Sequence, residues 1–297
     1  MLEADPPYRG RFAPSPTGPL HLGSLIAALA SYLDARHHKG AWLIRMEDLD
    51  PPREEPGAAR QILDSLQHHG LNSDDSVLFQ SQRGPAYATA LKALQVAGHL
   101  FNCDCTRQTL GPDGACRGNC RQRQGQLDTP TATRVRVPRS CHIRFEDQTQ
   151  GAQETALGGE IPDFIVKRKD GLDAYQLAVV VDDAWQGITH IVRGSDLMDS
   201  TPRQIFLQQL LGHSTPVYRH IPVITDASGQ KFSKQNHAPA LENGDAPANL
   251  RAALKFLQQD EPPLELRATA QILDFATQRW TPAKIPGVLS IAATHRA

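Results

Sequence analysis

The segment RFAPSPTGPLHLGS, residues 11–24, places the tightest constraint on what this chain can fold into. A short β-compatible stretch, residues 8–13, stops at Pro14. Three prolines and two glycines follow within ten residues. Each proline locks one backbone angle, so the loop has a fixed shape. Leu25, Ile26, Leu29 and Leu33 then recur at helical spacing, and Gly40 follows, which predicts a helix over residues 22–38. A strand leading through a stiff loop into a helix is a phosphate-binding arrangement, because a helix N-terminus offers unpaired N–H groups and the positive end of its dipole. Gly23 has no side chain to hold a ligand away, and His21 can donate to a phosphoryl oxygen. Taken alone, the same residues also describe a helix start with an incidental histidine.

The alternation continues. AWLIRM, residues 41–46, reads as a strand closed by EDLDPP. A helix is expected over residues 57–69, a strand over 77–79 and a helix over 85–97 before Gly98. Strands and helices of these lengths predict an α/β fold with a parallel sheet of the Rossmann type. The pattern breaks near Phe101, where Gly, Arg, Gln and Cys accumulate and only short β-like pieces remain, at 132–137 and 164–167. Alternation resumes with apolar runs at 176–181 and 188–192, a helix at 202–211 and a strand at 217–224. From about His237 the spacing of Leu250, Leu254, Leu257, Ile272 and Phe275 is helical. The expected organisation is a catalytic domain in two halves, 1–100 and 175–236, an insertion over 101–174, and a small helical subdomain over 237–297.

A length of 297 residues, 40% of them hydrophobic, suits such a fold. No run of about 18 apolar residues exists to span a membrane, and the first residues lack the basic-then-apolar pattern of a secretory signal. A cytoplasmic protein is expected. The net charge of −1 carries no global hint of nucleic acid. Locally, seven arginines between Arg117 and Arg144 face a single carboxylate, Asp128. That stretch suits either a phosphate backbone or a solvated surface.

Four of the five cysteines, Cys103, Cys105, Cys116 and Cys120, fall within eighteen residues. In a chain with no export signal such clustering predicts metal rather than disulfides, and four thiolates match a structural tetrahedral Zn2+. Gly111, Gly114 and Gly118 let the connecting loop wrap an ion, which would stabilise an insertion too loop-rich to fold on apolar burial alone. Cys141 lies apart and is expected to bind nothing.

A pocket selective for an acidic amino acid needs a carboxylate for the ammonium and an arginine fork for carboxylates. Arg11 lies on the first expected strand, Glu47 ends the second, and Arg193, in HIVRGSDL, follows another. Open α/β sheets bind ligands at such carboxyl ends. Later, GQKFSKQ places Lys231 and Lys234 around Ser233 in a loop after a strand, and lysine suits charge on a transferring phosphate.

HLGS at 21–24 resembles the HIGH motif of class I aminoacyl-tRNA synthetases, and KFSKQ at 231–235 resembles their KMSKS motif. RFAPSPTGPLHLG followed by IRMEDLDPPR at 44–53 is similar to the glutamyl branch of that class. These matches, in the family's order, cover nearly the whole chain. The resemblance implies that His21, Gly23, Ser24, Lys231, Ser233 and Lys234 bind ATP, that His21 and Lys234 are catalytic, and that Mg2+ accompanies the nucleotide. It implies a glutamate site formed by Arg11, Phe12, Ala13, Pro14, Ser15, Glu47, Tyr175 and Arg193. Glu47 would take the ammonium, and Arg193 with Arg11 the carboxylates. One departure is Ser24, which stands where the family motif has its second histidine and cannot carry a positive charge. About sixty residues follow KFSKQ, too few for a further anticodon-reading domain of usual size. With the cysteine-rich insertion, this resembles the subgroup that activates L-glutamate without tRNA and attaches it to queuosine in the anticodon of tRNA(Asp). A monomer is expected. The rival expectations are a truncated enzyme charging tRNA(Glu) and a non-catalytic RNA-binding relative.

Overall fold

The structure is a computed structural model that describes residues 7–106, 108–111, 114–116, 119–123, 129–160, 163–226 and 239–292. Strand β1 (Arg9–Phe12) enters the proline loop and helix α1 (Leu22–His37), which returns to β2 (Ala41–Met46). β1 and β2 are parallel, with Arg9 opposite Ala41 and Phe12 opposite Ile44. Helix α2 (Ala58–His68) leads to β3 (Leu78–Phe79), parallel to β2 on its other side, and α3 (Gly84–Val96) follows.

Next come β4 (Leu100–Cys103), β5 (Ala132–Val135), β6 (Ile143–Asp147), β7 (Gly151–Thr155), the short α4 (Leu157–Glu160) and β8 (Ile165–Lys167). β4, β5 and β8 form a small antiparallel sheet. Helix α5 (Tyr175–Trp185) returns the chain to the main sheet through β9 (His190–Gly194), α6 (Thr201–Leu211), β10 (Val217–Ile221) and β11 (Val223–Thr225). Helices α7 (Ala246–Phe256) and α8 (Thr269–Arg279) and strand β12 (Ser290–Ala292) complete the described chain.

β9 and β10 are parallel, and β9 lies against β1. The Thr189 N–H donates to the Arg9 carbonyl at 3.0 Å, and the Arg9 N–H donates to Thr189 Oγ1 at 2.9 Å. The strand sequence is therefore β3, β2, β1, β9, β10, with successive strands added first on one side of β1 and later on the other. Between β1 and β9 the direction of growth reverses, and at such a switch point the carboxyl ends open a crevice.

Helix α1 is apolar on all sides because it is covered on all sides. It packs on β1, β2 and β9 with one face and on α7 and α8 with the other. Leu25, Ala28, Leu29 and Leu33 are fully buried. Each such leucine contributes roughly 1.5–3 kcal/mol by leaving water. Asp34 ties the layers together, accepting from Tyr8 Oη at 2.7 Å and Trp280 Nε1 at 2.8 Å. The turn after α1 requires Gly40, where a Cβ would stand 2.4 Å from the Tyr8 carbonyl oxygen.

Two expectations change. The run 176–181 is helical, inside α5, not an extended piece. Its Val179 and Val180 are buried together with Asp182 and Asp183, so a helix enclosed on several sides produces a run that looks strand-like. The strand expected over 217–224 is two strands broken at Pro222, which has no N–H to give a ladder. β11 then pairs in parallel with β12.

Several arginines of the basic stretch bond within the protein, while Arg117 lies outside the described residues. Arg121 and Arg136 donate to carbonyls of Val137, Leu100 and Arg121, Arg134 is buried and donates to the Asp163 carbonyl, and Arg123 and Arg144 pair with Asp104 and Glu154. Arg121, Arg123, Arg134 and Arg136 stitch the small sheet and its loops together, and Arg144 bridges β6 to β7. Within the span 101–174, β6 also pairs with β10, so part of that span extends the main sheet. Among the described residues, no helix is long and apolar enough to cross a membrane.

Candidate active site

A cavity of about 340 Å³ opens at the carboxyl ends of β1 and β9. Every described residue expected in the glutamate site lines it: Arg11 and Phe12 from β1, Ala13, Pro14 and Ser15 from the loop, Glu47 after β2, Tyr175 at the start of α5, and Arg193 from β9. His21, Gly23 and Ser24 line it from the start of α1. The loop is held in place by backbone bonds. Glu47 N–H donates to Pro14 O and Glu55 N–H to Pro16 O, both at 2.9 Å. Lys231, Ser233 and Lys234 lie outside the described residues. The chain leading to them passes the cavity, since Val223 and Ile224 of β11 line it.

At the helix start, the Ser24 N–H donates to His21 Nδ1 at 3.3 Å, and Ser24 Oγ lies 3.0 Å from His21 Nε2. An accepting Nδ1 puts the ring proton on Nε2, which then donates to the Ser24 hydroxyl. Ser24 therefore holds the imidazole of His21 in place. Gly23 sits where a Cβ would press on the His21 ring at 3.1 Å and on Ile224 at 3.2 Å.

The two arginines of the pocket are held in opposite ways. Arg11, on β1, donates from Nε to Asp183 Oδ1 at 3.1 Å, and Arg45 Nη1 donates to the same oxygen at 2.6 Å. Arg45 also reaches Gln186 Oε1 at 2.9 Å and Glu47 Oε1 at 3.5 Å. Burial would raise the Asp183 pKa, but Arg11 and Arg45 overcome it and hold the carboxyl below the usual carboxylate range. Glu47 goes the other way: burial lifts its carboxyl above the usual range against the pull of Arg45 and Arg11. Tyr175 is pushed up to about 12, by burial and then by Glu47, and stays a neutral phenol.

Arg193 has no carboxylate partner within ion-pairing distance among the described residues. Its Nε donates to His220 Nε2 at 3.0 Å and its Nη2 to Thr201 Oγ1 at 2.7 Å. The guanidinium lies over the Tyr218 ring at 5.4 Å. Nη1 is buried with no hydrogen-bond partner among the described residues. A buried orphan donor on a charged group costs about 1–3 kcal/mol or more, and this one belongs to a residue that lines the cavity. Sequence reading missed Asp183, Arg45, His220 and Asp147. The available signal was the pair Asp182–Asp183 inside an apolar run, where carboxylates persist only with partners.

In the small sheet, the Sγ atoms of Cys103, Cys105, Cys116 and Cys120 all lie within 4.8 Å of one another. Cys105 Sγ is 3.6 Å from those of Cys116 and Cys120. Sulfurs bound to one tetrahedral zinc are roughly 3.8 Å apart, so the cluster could hold a metal ion. Arg123 and Lys169 border it, on Asp104 and on the carbonyls of Asp104 and Cys105. Two cations there would offset the net negative charge of a four-thiolate site. Cys141 stands elsewhere, against the apolar core beneath the main sheet.

Comparison with known proteins agrees with this geometry. The family model described as tRNA synthetases class I (E and Q), catalytic domain, matches residues 8–248. A glutamyl-Q tRNA(Asp) synthetase of Pseudomonas entomophila (strain L48) is 50% identical over 289 residues, covering 97% of each chain. One from Thiobacillus denitrificans (strain ATCC 25259 / T1) is 53% identical over 286 residues, covering 93% of this chain and 94% of its own. The glutamate-tRNA synthetase of Elizabethkingia anophelis shares the fold, with a TM-score of 0.79 at 22% identity over 98% of this chain and 68% of that one. The chain belongs to the glutamyl-Q tRNA(Asp) synthetase family of class I aminoacyl-tRNA synthetases.

Proposed function

We propose that the chain activates L-glutamate with ATP, without tRNA, and then transfers the glutamyl group from the adenylate to a hydroxyl of queuosine in the anticodon of tRNA(Asp). One observation carries this reading beyond family membership: a single cavity at the switch point joins Arg193, with its unspent donor, to Glu47, Arg11 and the start of α1. In this reading Glu47 receives the substrate ammonium, Arg193 and Arg11 face its carboxylates, and Tyr175 and residues 12–15 form the walls. His21, Gly23 and Ser24 face the nucleotide phosphates, with Lys231, Ser233 and Lys234 supplied by the loop after β11. Mg2+ accompanies ATP and adds positive charge at the phosphates.

The chemistry needs close placement of the substrate α-carboxylate and the α-phosphorus. Attack of a carboxylate oxygen on that phosphorus expels pyrophosphate, and positive charge around the phosphates stabilises the transition state. In the second step a queuosine hydroxyl attacks the mixed anhydride and AMP leaves. The experiment is direct. Purified protein with ATP, Mg2+ and glutamate is assayed for ATP–pyrophosphate exchange in the absence of RNA. Labelled glutamate is then offered with tRNA(Asp) that carries or lacks queuosine, and with tRNA(Glu). Exchange without RNA and labelling of the modified tRNA(Asp) alone is the expected result. Labelling of tRNA(Glu) instead would refute the acceptor, and absence of exchange would refute the activation.

Glu47 makes the pH dependence specific. The ammonium binds the carboxylate form, and burial has raised the pKa at which that form appears. Glutamate KM is therefore expected to climb as pH falls through that raised pKa, approaching about tenfold per pH unit below it, and to be flat above it. Glu47→Gln should show a high KM with that dependence gone. A wild-type KM that stays constant as pH is lowered from neutral through the ordinary carboxylate range would remove Glu47 from the ammonium role.

We further propose that the four cysteines hold a structural Zn2+. Metal analysis is expected to find one zinc per chain, lost in Cys103→Ser and in Cys120→Ser. Chelation should unfold the small sheet, because a metal bound mainly by the folded form contributes its binding free energy to folding. Zinc-free protein with an unchanged thermal melt would overturn this.

A further inference from the structure

We propose that His220, fixed in one tautomer by Asp147, is a positioning residue that holds Arg193 without neutralising it, and so sets the preference of the site for glutamate over glutamine. This rests on the reading of Arg193 as a carboxylate ligand.

The geometry is a chain of three buried groups. Asp147 stands at the end of β6, and neither its side chain nor that of His220, on β10, is exposed. Asp147 Oδ1 accepts from the N–H groups of Thr149 at 3.0 Å, Gln150 at 2.9 Å and His220 at 3.1 Å. Its Oδ2 lies 2.6 Å from His220 Nδ1. A carboxylate only accepts, so the ring proton sits on Nδ1. Nε2 is then a lone pair, which is what the Arg193 Nε–H needs at 3.0 Å.

The choice of acceptor has an electrostatic consequence. Arg11 is held by a carboxylate, Asp183, which it shares with Arg45. Arg193 is held by a neutral ring nitrogen and a hydroxyl, on Thr201, so its orientation is fixed while its charge stays available. Burial lowers the pKa of His220, which keeps the ring neutral. An amide in the substrate offers Arg193 no countercharge, and a carboxylate does. The strands make this possible: β9 and β10 are adjacent and put Arg193 directly opposite His220, while β6 on the other side of β10 brings Asp147.

Glutamate- and glutamine-dependent ATP–pyrophosphate exchange is measured with wild type, His220→Leu, His220→Gln, Asp147→Asn and Arg193→Ala, with thermal melts of each. Asp147→Asn is informative because three backbone donors keep its oxygen at the Oδ1 position. The amide NH2 then faces Nδ1, the ring proton moves to Nε2, and two donors oppose each other at Arg193. Both His220→Leu and Asp147→Asn are expected to raise glutamate KM roughly tenfold to a hundredfold, with kcat changed far less and the glutamate-to-glutamine ratio of kcat/KM reduced. His220→Gln, whose Oε1 can replace Nε2, should recover most of the loss. The proposal is overturned if Asp147→Asn and His220→Leu keep the wild-type KM and ratio while Arg193→Ala raises KM. It is equally overturned if the variants only lower the melting temperature with no KM effect or no recovery in His220→Gln. An unchanged KM in Arg193→Ala itself would instead reject the underlying reading of the glutamate site.

Discussion

Arg193→Ala is expected to reduce glutamate-dependent ATP–pyrophosphate exchange by roughly a hundredfold to ten-thousandfold, the equivalent of about 3–5 kcal/mol for one charge left unpaired in a buried site. The size follows from where the loss falls. In the folded protein Arg193 is buried and keeps one nitrogen without a hydrogen-bond partner among the described residues. A substrate carboxylate entering the cavity gives up its water in exchange for that guanidinium. Without the guanidinium it gives up the same water for nothing. Stability should suffer less, because the groups left behind are a neutral imidazole and a hydroxyl that can bond to each other, Thr201 Oγ1 lying 3.0 Å from His220 Nε2. The check is a pair of measurements on one preparation: steady-state exchange and a thermal melt. Near-normal exchange in a folded variant would remove Arg193 from the pocket. Arg193→Lys is not expected to rescue, since an ammonium cannot bond His220, Thr201 and the substrate in one plane as the fork does.

The parts of this site that were legible in the sequence share a property: each depends on spacing along one segment. The proline loop and the helix behind it declare themselves because proline and glycine act locally, and β1, α1 and β2 lie within a residue or so of where alternation places them. The cysteine cluster was legible for the same reason. What was illegible depends on distant partners. Nothing near Asp183 announces that it will meet Arg11 and Arg45, which are far away in sequence and adjacent only once the sheet forms. The run 176–181 looked extended because β-branched residues favour strands. It lies in a helix packed against α3, α6 and β8, and tertiary contacts outweighed propensity. The arginine-rich stretch shows the same limit from the other direction. Charge density left a phosphate-binding face and a solvated surface both open, and it did not announce that five of those guanidinium groups bond to carbonyls and carboxylates within the protein.

Asp183→Ala should carry the largest cost to stability, about 3–5 kcal/mol, because it leaves two buried guanidinium groups without their shared countercharge. Both partners bond the same oxygen, Arg11 at 3.1 Å and Arg45 at 2.6 Å, and Arg45 is wholly buried. The linkage to pH has a definite sign. The folded-state pKa of Asp183 is held below its unfolded value by Arg11 and Arg45, against the opposing effect of burial. Its contribution is therefore fully present above the ordinary carboxylate range and is lost as pH falls through the depressed folded value. Wild type should lose stability in acid more steeply than Asp183→Ala, so the gap between their denaturation midpoints narrows as pH falls. A constant gap, or a loss under 1 kcal/mol by urea titration at neutral pH, would show that the network is solvated rather than closed. Asp183→Asn separates charge from shape. It can keep the one oxygen that accepts from both arginines but removes the countercharge, so it is expected to lie between wild type and alanine in stability. It should also raise glutamate KM, because an Arg11 with no balancing charge no longer keeps its place on β1 beside the substrate. The same carboxylate thus ties strands β1 and β2, through Arg11 and Arg45, to helix α5, and fixes one wall of the pocket they form.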